Sequence, residues 1–414
     1  MSVASYEWKQ LPNGPRLAVA NLPDAECATL SFHIPAGSRD EQDYPNGLAH
    51  FVEHMAFKGT PTRSAKDLSV AIESLGGQIN AYTTEDQTTY EGRGEAELLP
   101  LLAEVLSDMV WQSVFADREI ELEREVIAEE ITMYRESPTD HIGDLTCSAL
   151  WGNHPLGLPI AGSVESIANI NRDTLLAFRD RHYFRKDIVI AAAGPFTMME
   201  LEQVIHRHLP ASFTEASDFP AFDATDTEPG DVVEERATDQ LQLAMAWHTP
   251  GRHADERHAL RLLSQLLGEA SSSRLFIKLR EERGLCYQIH SETTFYHETG
   301  CFEVVAGLDP AGRDEAIACI EEEITDIAAN GPKYDELERA KRLSISASKF
   351  SFESTAAHAT WAGEGVLDFG HVPCRDEWKD RVIAVTAEDV QQVCRDFLTK
   401  PASIAEIKPL SSSS

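Results

Sequence analysis

The feature that most constrains the fold is a similar arrangement of strands and helices in two halves of the chain. In the first half the hydrophobic pattern predicts strands at 16–19, 28–34, 78–84, 87–91 and 188–193 and helices at 64–74, 97–112, 117–134 and 198–208. In the second half it predicts strands at 241–247, 286–292 and 302–307 and helices at 258–267, 274–282, 314–329 and 333–350. Strands grouped with helices, rather than strictly alternating with them, favour α+β halves with antiparallel or mixed sheets.

The boundary between the halves is expected in an acidic segment at 211–232 that contains two prolines and little apolar periodicity. We therefore predict an N-terminal domain at 1–212, a linker at 213–232 and a C-terminal domain at 233–410. The serines at 411–414 are expected to form a disordered tail.

Composition excludes several classes of protein. The chain has 414 residues, a hydrophobic fraction of 42% and a net charge of −33, which describe a folded protein that does not bind nucleic acid. The N-terminus lacks the basic and apolar regions of a secretory signal, and no apolar run is long enough to cross a membrane. Seven cysteines without CxxC spacing indicate reduced thiols, so we expect a cytoplasmic protein.

Residues His50, Glu53 and His54 form an HxxEH motif on a further predicted helix. Histidines four residues apart project from one face of a helix, where two imidazoles can hold Zn²⁺. The carboxylate beside them can take a proton from a metal-bound water. The alternative is an exposed helix face with two solvated histidines.

A catalytic zinc site needs a third protein ligand, which the helix at 117–134 can supply. Its glutamates include Glu123 and Glu130, which are two helical turns apart and therefore on one face. Most of the glutamates on this helix are expected to be solvated. Composition and spacing alone do not decide between Glu129 and Glu130.

Four separated motifs resemble those of the pitrilysin-type (M16, inverzincin) zinc metallopeptidases. The motifs are GSRDE at 37–41, GLAHFVEHMAFKGT at 47–60, LGGQINAYTT at 75–84 and EREVIAEEITMY at 123–134. They are most similar to the short, two-domain branch that includes the mitochondrial processing peptidase catalytic subunit and its bacterial relatives. The resemblance extends over nearly the whole chain. It implies two homologous domains, each a mainly antiparallel sheet packed with helices, in the LuxS/MPP-like metallohydrolase fold.

The resemblance also assigns roles to single residues. It implies one Zn²⁺ per chain held by His50, His54 and Glu130, with Glu53 as the general base. Glu123 matches a glutamate that hydrogen-bonds a ligand histidine and so fixes the orientation of its ring.

Further matches concern the substrate. Asn80 and Ala81 lie in a segment that resembles the family's edge strand, to which an extended peptide adds as an extra strand. Arg280 and Tyr287 match the family's substrate-binding pair in the C-terminal domain, where they would help to hold the tetrahedral intermediate.

The function implied is zinc-dependent hydrolysis of short or unfolded peptides in a closed chamber. Because the chain carries both the zinc motif and the Arg280/Tyr287 pair, we expect a homodimer with two complete sites. One alternative is a non-catalytic core or peptide-binding subunit of a larger assembly. Another is a zinc hydrolase that cleaves a small metabolite.

Overall fold

The computed structural model describes residues 4–12, 14–216 and 227–410. The chain divides into two compact units, each made of three segments. Unit 1 comprises Met1–Ile131, Pro159–Pro220 and Phe350–Cys374, and unit 2 comprises Thr132–Leu158, Ala221–Lys349 and Arg375–Ser414. Part of the predicted linker, at 217–226, and the whole predicted tail, at 411–414, lie outside the described residues.

The regular elements of the described residues are as follows. The strands are β1 Ser5–Gln10, β2 Arg16–Asn21, β3 Cys27–Ile34, β4 Gln78–Thr83, β5 Thr88–Glu95, β6 Val189–Gly194, β7 Asp231–Arg236, β8 Leu241–Pro250, β9 Cys286–Phe295, β10 Thr299–Leu308 and β11 Ser403–Pro409. The α-helices are α1 Leu48–Ala56, α2 Ala65–Glu73, α3 Leu99–Gln112, α4 Asp117–Glu136, α5 Pro138–Trp151, α6 Val164–Ile167, α7 Arg172–His182, α8 Met198–Ile205, α9 Arg257–Ser264, α10 Arg313–Asn330, α11 Tyr334–Ser351, α12 Thr355–Phe369, α13 Arg375–Ala384 and α14 Ala387–Val393. Wider, π-helical turns span Gln265–Glu269, Phe276–Glu282 and Cys394–Leu398.

The two sheets share one topology. In unit 1 the strand order is β1-β2-β6-β3-β5-β4, and in unit 2 it is β7-β11-β8-β10-β9. Without β1, each strand of the first sheet corresponds in chain order and position to one of the second. The single parallel pair, β2 with β6 or β7 with β11, stands at the same place, and the other neighbours are antiparallel. The prediction of two similar α+β domains with mainly antiparallel sheets is confirmed.

The sheet of each unit is covered by one helix that comes from the opposite half of the sequence. Helix α12, from the second half of the chain, covers β6, β3 and β2, and helix α5, from the first half, covers β11, β8 and β7. Small side chains allow close approach: Ala191 and Ala18 contact Ala362 and Val366 in unit 1. In unit 2, Ala244, Ala405 and Ile407 pack against Ile142 of α5.

This exchange differs from the contiguous domains predicted at 1–212 and 233–410. The segment 132–158 belongs to unit 2, and the segment 350–374 belongs to unit 1. The physical reason is that both faces of the central strands are apolar, as the fully buried strand β6 illustrates. Each sheet therefore needs a second covering layer besides its own helices.

The cysteines and the helix lengths can be compared with the expectations from composition. All seven cysteines are free thiols, which agrees with the predicted reduced state. Among the described helices, none is long and apolar enough by itself to span a membrane, and one bent pair, Ala96–Gln112 with Asp117–Glu136, meets that test on length and composition only.

A buried guanidinium joins three elements of unit 2. Arg274 is 9% exposed and donates to Glu336 through Nε at 3.2 Å and Nη2 at 2.8 Å. Its Nη1 reaches Asp326 at 2.7 Å and Glu323 at 3.3 Å. Burial alone would lower the pKa of Arg274, but these carboxylates raise it above its usual value. The charge therefore stays, and it is needed to balance Glu323, which is 4% exposed.

Replacing Arg274 with methionine is expected to destabilise unit 2 by about 3 kcal/mol, because a buried carboxylate loses its partner. This is the lower end of the usual range, since Lys278 still contacts Glu323. Urea unfolding followed by circular dichroism measures the shift. The matched control is Arg339→Met, which removes an exposed pair with Asp335 at 4.0 Å and should change stability by less than about 0.5 kcal/mol. Equal shifts for the two variants would contradict the assignment.

Candidate metal centre

Helix α1 begins at a site built by a glycine and a buried carboxylate. Gly47 has φ 93°, and a Cβ at this position would lie 2.6 Å from the Ala161 carbonyl oxygen, so only glycine fits. The Glu41 carboxylate accepts hydrogen bonds from the backbone N–H groups of Gly47 at 2.8 Å and Ala49 at 2.6 Å. A negative group satisfies unpaired N–H groups at a helix N-terminus and stabilises the helix dipole. Burial raises the pKa of Glu41 to about 8, and the hydrogen bonds from Ala49 and Gly47 offset this only in part, so Glu41 caps the helix chiefly by accepting hydrogen bonds.

The three predicted ligands come together in unit 1. His50 and His54 project from the same face of α1, and their Nε2 atoms are 3.2 Å apart. The Oε2 atom of Glu130, on α4, lies 3.5 Å from Nε2 of His54 and 3.9 Å from Nε2 of His50. These side chains remain partly open to solvent, with 12%, 20% and 26% of His50, His54 and Glu130 exposed.

The donor atoms suit a tetrahedral zinc ion. Tetrahedral ligands at zinc distances of about 2.0–2.2 Å are separated from one another by roughly 3.3–3.6 Å. The three donors here all lie within 4.8 Å of each other, and two of the separations, 3.2 and 3.5 Å, are close to those values. Burial, followed by the neighbouring His54, lowers the pKa of His50 to about 3, which keeps its imidazole in the neutral form that binds metal.

The orientation of α4 about its own axis determines which of the two adjacent glutamates lies near the histidines. Ile120, Ile127 and Ile131 bury one side of α4 in the core, and Glu123 is buried beside them. Glu130 is half-buried near the histidines, whereas Glu129 is exposed. Of the two glutamates that residue spacing left open, the structure thus places Glu130 beside the histidines.

Glu123 contacts the second histidine from behind. Its Oε1 atom lies 2.8 Å from Nδ1 of His54, and its Oε2 atom forms an ion pair with Nζ of Lys58. Burial would raise the pKa of Glu123, but the hydrogen bonds to His54 and Lys58 lower it overall, so the carboxylate stays ionised. An ionised carboxylate at Nδ1 holds the proton there and directs Nε2 of His54 toward Glu130.

The predicted general base lies on α1 next to the last residue of β4. Glu53 is 8% exposed, and its Oε2 atom accepts a hydrogen bond of 2.6 Å from the Thr83 hydroxyl. Burial raises the pKa of Glu53, while the Thr83 hydrogen bond acts in the opposite direction. A carboxylate with a raised pKa is better suited to accept and return a proton near neutral pH.

Strand β4 is an edge strand of the first sheet, since it pairs only with β5. Asn80 is exposed and Ala81 is half-buried in the middle of this strand, opposite Glu91 and Tyr90 of β5. An edge strand leaves a row of backbone N–H and C=O groups that can pair with an extended peptide. The predicted substrate strand is thus available for that role.

Arg280 and Tyr287 lie together in unit 2. The guanidinium of Arg280 stacks on the ring of Tyr287 at 5.3 Å and on the ring of Phe276 at 4.8 Å. Tyr287, near the start of the edge strand β9, is 71% exposed. The two residues that the resemblance pairs are therefore neighbours, and the tyrosine is accessible.

Three residues of the site were not identified from the sequence. Lys58 lies two residues beyond Ala56, the last residue of α1, in the turn that follows the helix. Thr83 and Glu41 lie within two of the motifs that resemble the family, but nothing in the sequence indicates what either side chain contacts. The contact of Lys58 with Glu123 and the partners of Thr83 and Glu41 all depend on tertiary structure.

Comparison with known proteins places this geometry in a family. The profile described as "Insulinase (Peptidase family M16)" matches residues 16–164, and the one described as "Peptidase M16 inactive domain" matches residues 169–344. An uncharacterized zinc protease of Streptomyces coelicolor is 32% identical over 411 residues, which cover 97% of this chain and 89% of that protein. An uncharacterized zinc protease of Bacillus subtilis is 30% identical over 397 residues, covering 96% and 97%.

Solved structures agree on the fold. A protease from Helicobacter pylori has a TM-score of 0.88 at 20% identity, with 98% of this chain and 100% of that chain covered. An M16-like peptidase from Alicyclobacillus acidocaldarius has a TM-score of 0.86 at 21% identity, with 99% of each covered. The chain belongs to peptidase family M16, the family of zinc proteases that its sequence resembles.

Alanine replacement of His50, His54 or Glu130 is expected to lower the zinc affinity, because a ligand is removed. The decrease should exceed the roughly 10–100-fold that is typical when a ligand loses only its hydrogen-bond partner. Competition with a chromogenic chelator and elemental analysis measure affinity and zinc content. Glu129→Ala is the matched control on the same helix and should keep the wild-type zinc content. Zinc loss in Glu129→Ala with retention in Glu130→Ala would reverse the assignment.

Glu123→Gln is expected to lower zinc affinity by roughly 10–100-fold, because a neutral amide holds the Nδ1 proton of His54 less firmly. The same chelator competition gives the affinity. Glu125→Gln, an exposed position on α4, serves as the control and should leave the affinity unchanged. An unaltered affinity in Glu123→Gln would mean that the carboxylate does not support the ligand.

Proposed function

We propose that the protein is a zinc-dependent endopeptidase that hydrolyses short or unfolded peptides. The observation that carries this proposal is the convergence of His50, His54 and Glu130 beside the buried carboxylate of Glu53. The edge strand β4 adds a backbone surface for the substrate, since Thr83 at its end contacts Glu53 directly. A set of ligands for one metal ion, a base and an exposed strand edge in one unit are the components that peptide hydrolysis needs.

Each group of the chain has a separate task in this mechanism. His50, His54 and Glu130 would hold one Zn²⁺ per chain, which when bound activates water and polarises a carbonyl group. Glu53 takes the proton of the attacking water and passes it to the leaving amine. Glu123 and Lys58 keep His54 oriented. The backbone of β4, around Asn80 and Ala81, aligns the peptide as an added strand.

The second unit contributes substrate contacts in this proposal. Arg280 offers fixed N–H donors for a peptide carbonyl or for negative charge that develops during the reaction. Tyr287 offers an accessible hydroxyl next to it. We further propose that the protein works as a cytoplasmic homodimer enclosing a chamber, with neither nucleic acid nor membrane as a partner.

A second candidate is a non-catalytic subunit that binds peptides within a larger assembly. The description of the second matching profile as an inactive domain is compatible with it. The intact cluster of ligands in unit 1 favours the enzyme, because a binding subunit does not need a base at a metal site. Cleavage of a small metabolite instead of a peptide is disfavoured by the edge strand.

Glu53→Gln is expected to retain zinc and to lose at least about 100-fold in kcat, because the amide cannot accept the proton. A quenched fluorescent peptide library, assayed with the zinc-loaded wild type and variant, measures this loss. Elemental analysis of both samples provides the control for metal content. Equal cleavage by the two proteins would remove Glu53 from its role, and no cleavage by the wild type would favour the binding subunit.

The homodimer should appear in solution with a mass about twice that of the 45.8 kDa chain. Size-exclusion chromatography with light scattering gives the mass, and assays across the same concentration range show whether activity follows the dimer. A monomer with full specific activity would disprove the shared chamber.

A further inference from the structure

We propose that Thr83 is a positioning residue for the general base, an inference that rests on the proposed peptidase function. The Thr83 hydroxyl donates to Oε2 of Glu53 at 2.6 Å. Among the described residues no other hydrogen-bond donor is recorded for this carboxylate, which is 8% exposed. A single donor in a buried place therefore sets the orientation of the Glu53 side chain.

The contact suits a threonine at the end of an edge strand. Side chains alternate along β4, so that Asn80 and Tyr82 are exposed while Ile79, Ala81 and Thr83 are half-buried. Thr83 thus points to the side of the sheet where α1 contacts β4. Threonine is β-branched and restricted at χ1, which limits the number of positions its hydroxyl can take.

The backbone behind Thr83 is held by the segment Gly37–Glu41. The N–H of Ser38 donates to the Thr84 carbonyl at 3.1 Å, and the N–H of Arg39 donates to the Glu85 carbonyl at 3.1 Å. A Cβ at Gly37 would lie 2.1 Å from the Thr84 carbonyl oxygen, so the two backbones are in direct contact.

The same segment contacts both the chain that follows Thr83 and the helix that carries Glu53, the other partner of the hydrogen bond. Arg39, which is 1% exposed, forms a buried ion pair of 2.7 Å with Asp86, the third residue after Thr83. Asp40 follows Gly37 by three residues. The next residue, Glu41, caps the start of α1. One short stretch of chain therefore sets both the strand end that carries Thr83 and the helix that carries Glu53.

Through the Thr83 hydroxyl, the strand to which a substrate peptide would add is hydrogen-bonded directly to the proposed base. A peptide that adds to β4 lies beside the strand whose last side chain orients Glu53. Loss of the hydroxyl should leave peptide binding on the strand backbone nearly unchanged and slow the proton transfer. We therefore expect the effect to fall on kcat and not on KM.

The test compares Thr83→Val, which removes the hydroxyl and keeps the branched shape, with Thr83→Ser, which keeps the hydroxyl. In zinc-loaded protein, Thr83→Val should lose about 10- to 100-fold in kcat with KM within about twofold, as expected for a lost hydrogen bond to a charged group. Thr83→Ser should stay within about threefold of the wild type. Thr84→Val is the matched control, since its hydroxyl contacts Gln87 and not the base.

Three results would overturn the proposal. These are an unchanged kcat in Thr83→Val, a loss confined to KM, or an equal loss in Thr83→Ser with zinc content intact. If Thr83→Val does not fold, Thr83→Ala is the second hydroxyl-free variant and is compared with Thr83→Ser in the same way. Failure of the proposed function is a different outcome, because the wild type itself then shows no cleavage.

A readout that needs neither zinc nor turnover completes the test. In the metal-free protein, the unfolding midpoints of Thr83→Val, Glu53→Ala and the double variant form a cycle. The double variant should be no less stable than Glu53→Ala alone, since the hydroxyl has lost its partner. Fully additive shifts would show that the two side chains do not interact, whatever the protein cleaves.

Discussion

The candidate metal site depends on a buried carboxylate at the start of α1. Glu41 accepts two backbone N–H groups of the helix that carries both histidines and the proposed base, and its neighbour Asn46 donates to it at 3.1 Å. A short helix of nine residues is marginal on its own, so its position must come from tertiary contacts. Glu41 supplies such a contact at the N-terminal end of α1. The direction of the helix from that point determines where the face that carries the two histidines lies.

Unit 1 fixes the remaining groups of the site through the same part of the chain. The segment that ends in Glu41 also holds the turn after β4, while the isoleucines of α4 set the angle from which Glu123 and Glu130 approach. Lys58, in the turn after α1, balances the charge of Glu123. The site is therefore an extension of the core packing of its unit, and the buried Glu123 carboxylate is paired with a cation in the way that a buried charge requires.

Local patterns in the sequence predicted the elements well and the long-range partners poorly. The strand of 188–193 and the helix of 117–134 were recognisable because burial imposes a period on apolar residues. Helical spacing places His50 beside His54, whereas Glu130 as third ligand is implied only by the family resemblance, and the structure puts its carboxylate near both histidines. The sequence does not show that Thr83 contacts Glu53, because a hydrogen bond between residues 30 positions apart produces no periodic pattern. The sequence did not predict the exchange of α5 and α12 for the same reason, and only the structure shows that both faces of β6 are covered.

The exchanged helices have a consequence for the order in which the chain acquires its structure during synthesis. The first sheet is complete in sequence once β6 ends at Gly194, but α12, which covers one of its faces, ends only at Phe369. For the translation of about 175 intervening residues, the alanine-rich face of β2 and β6 lacks its cover and is open to chaperones or to other nascent chains. Because α12 is synthesised late, unit 1 can complete its packing only when nearly the whole polypeptide has been made.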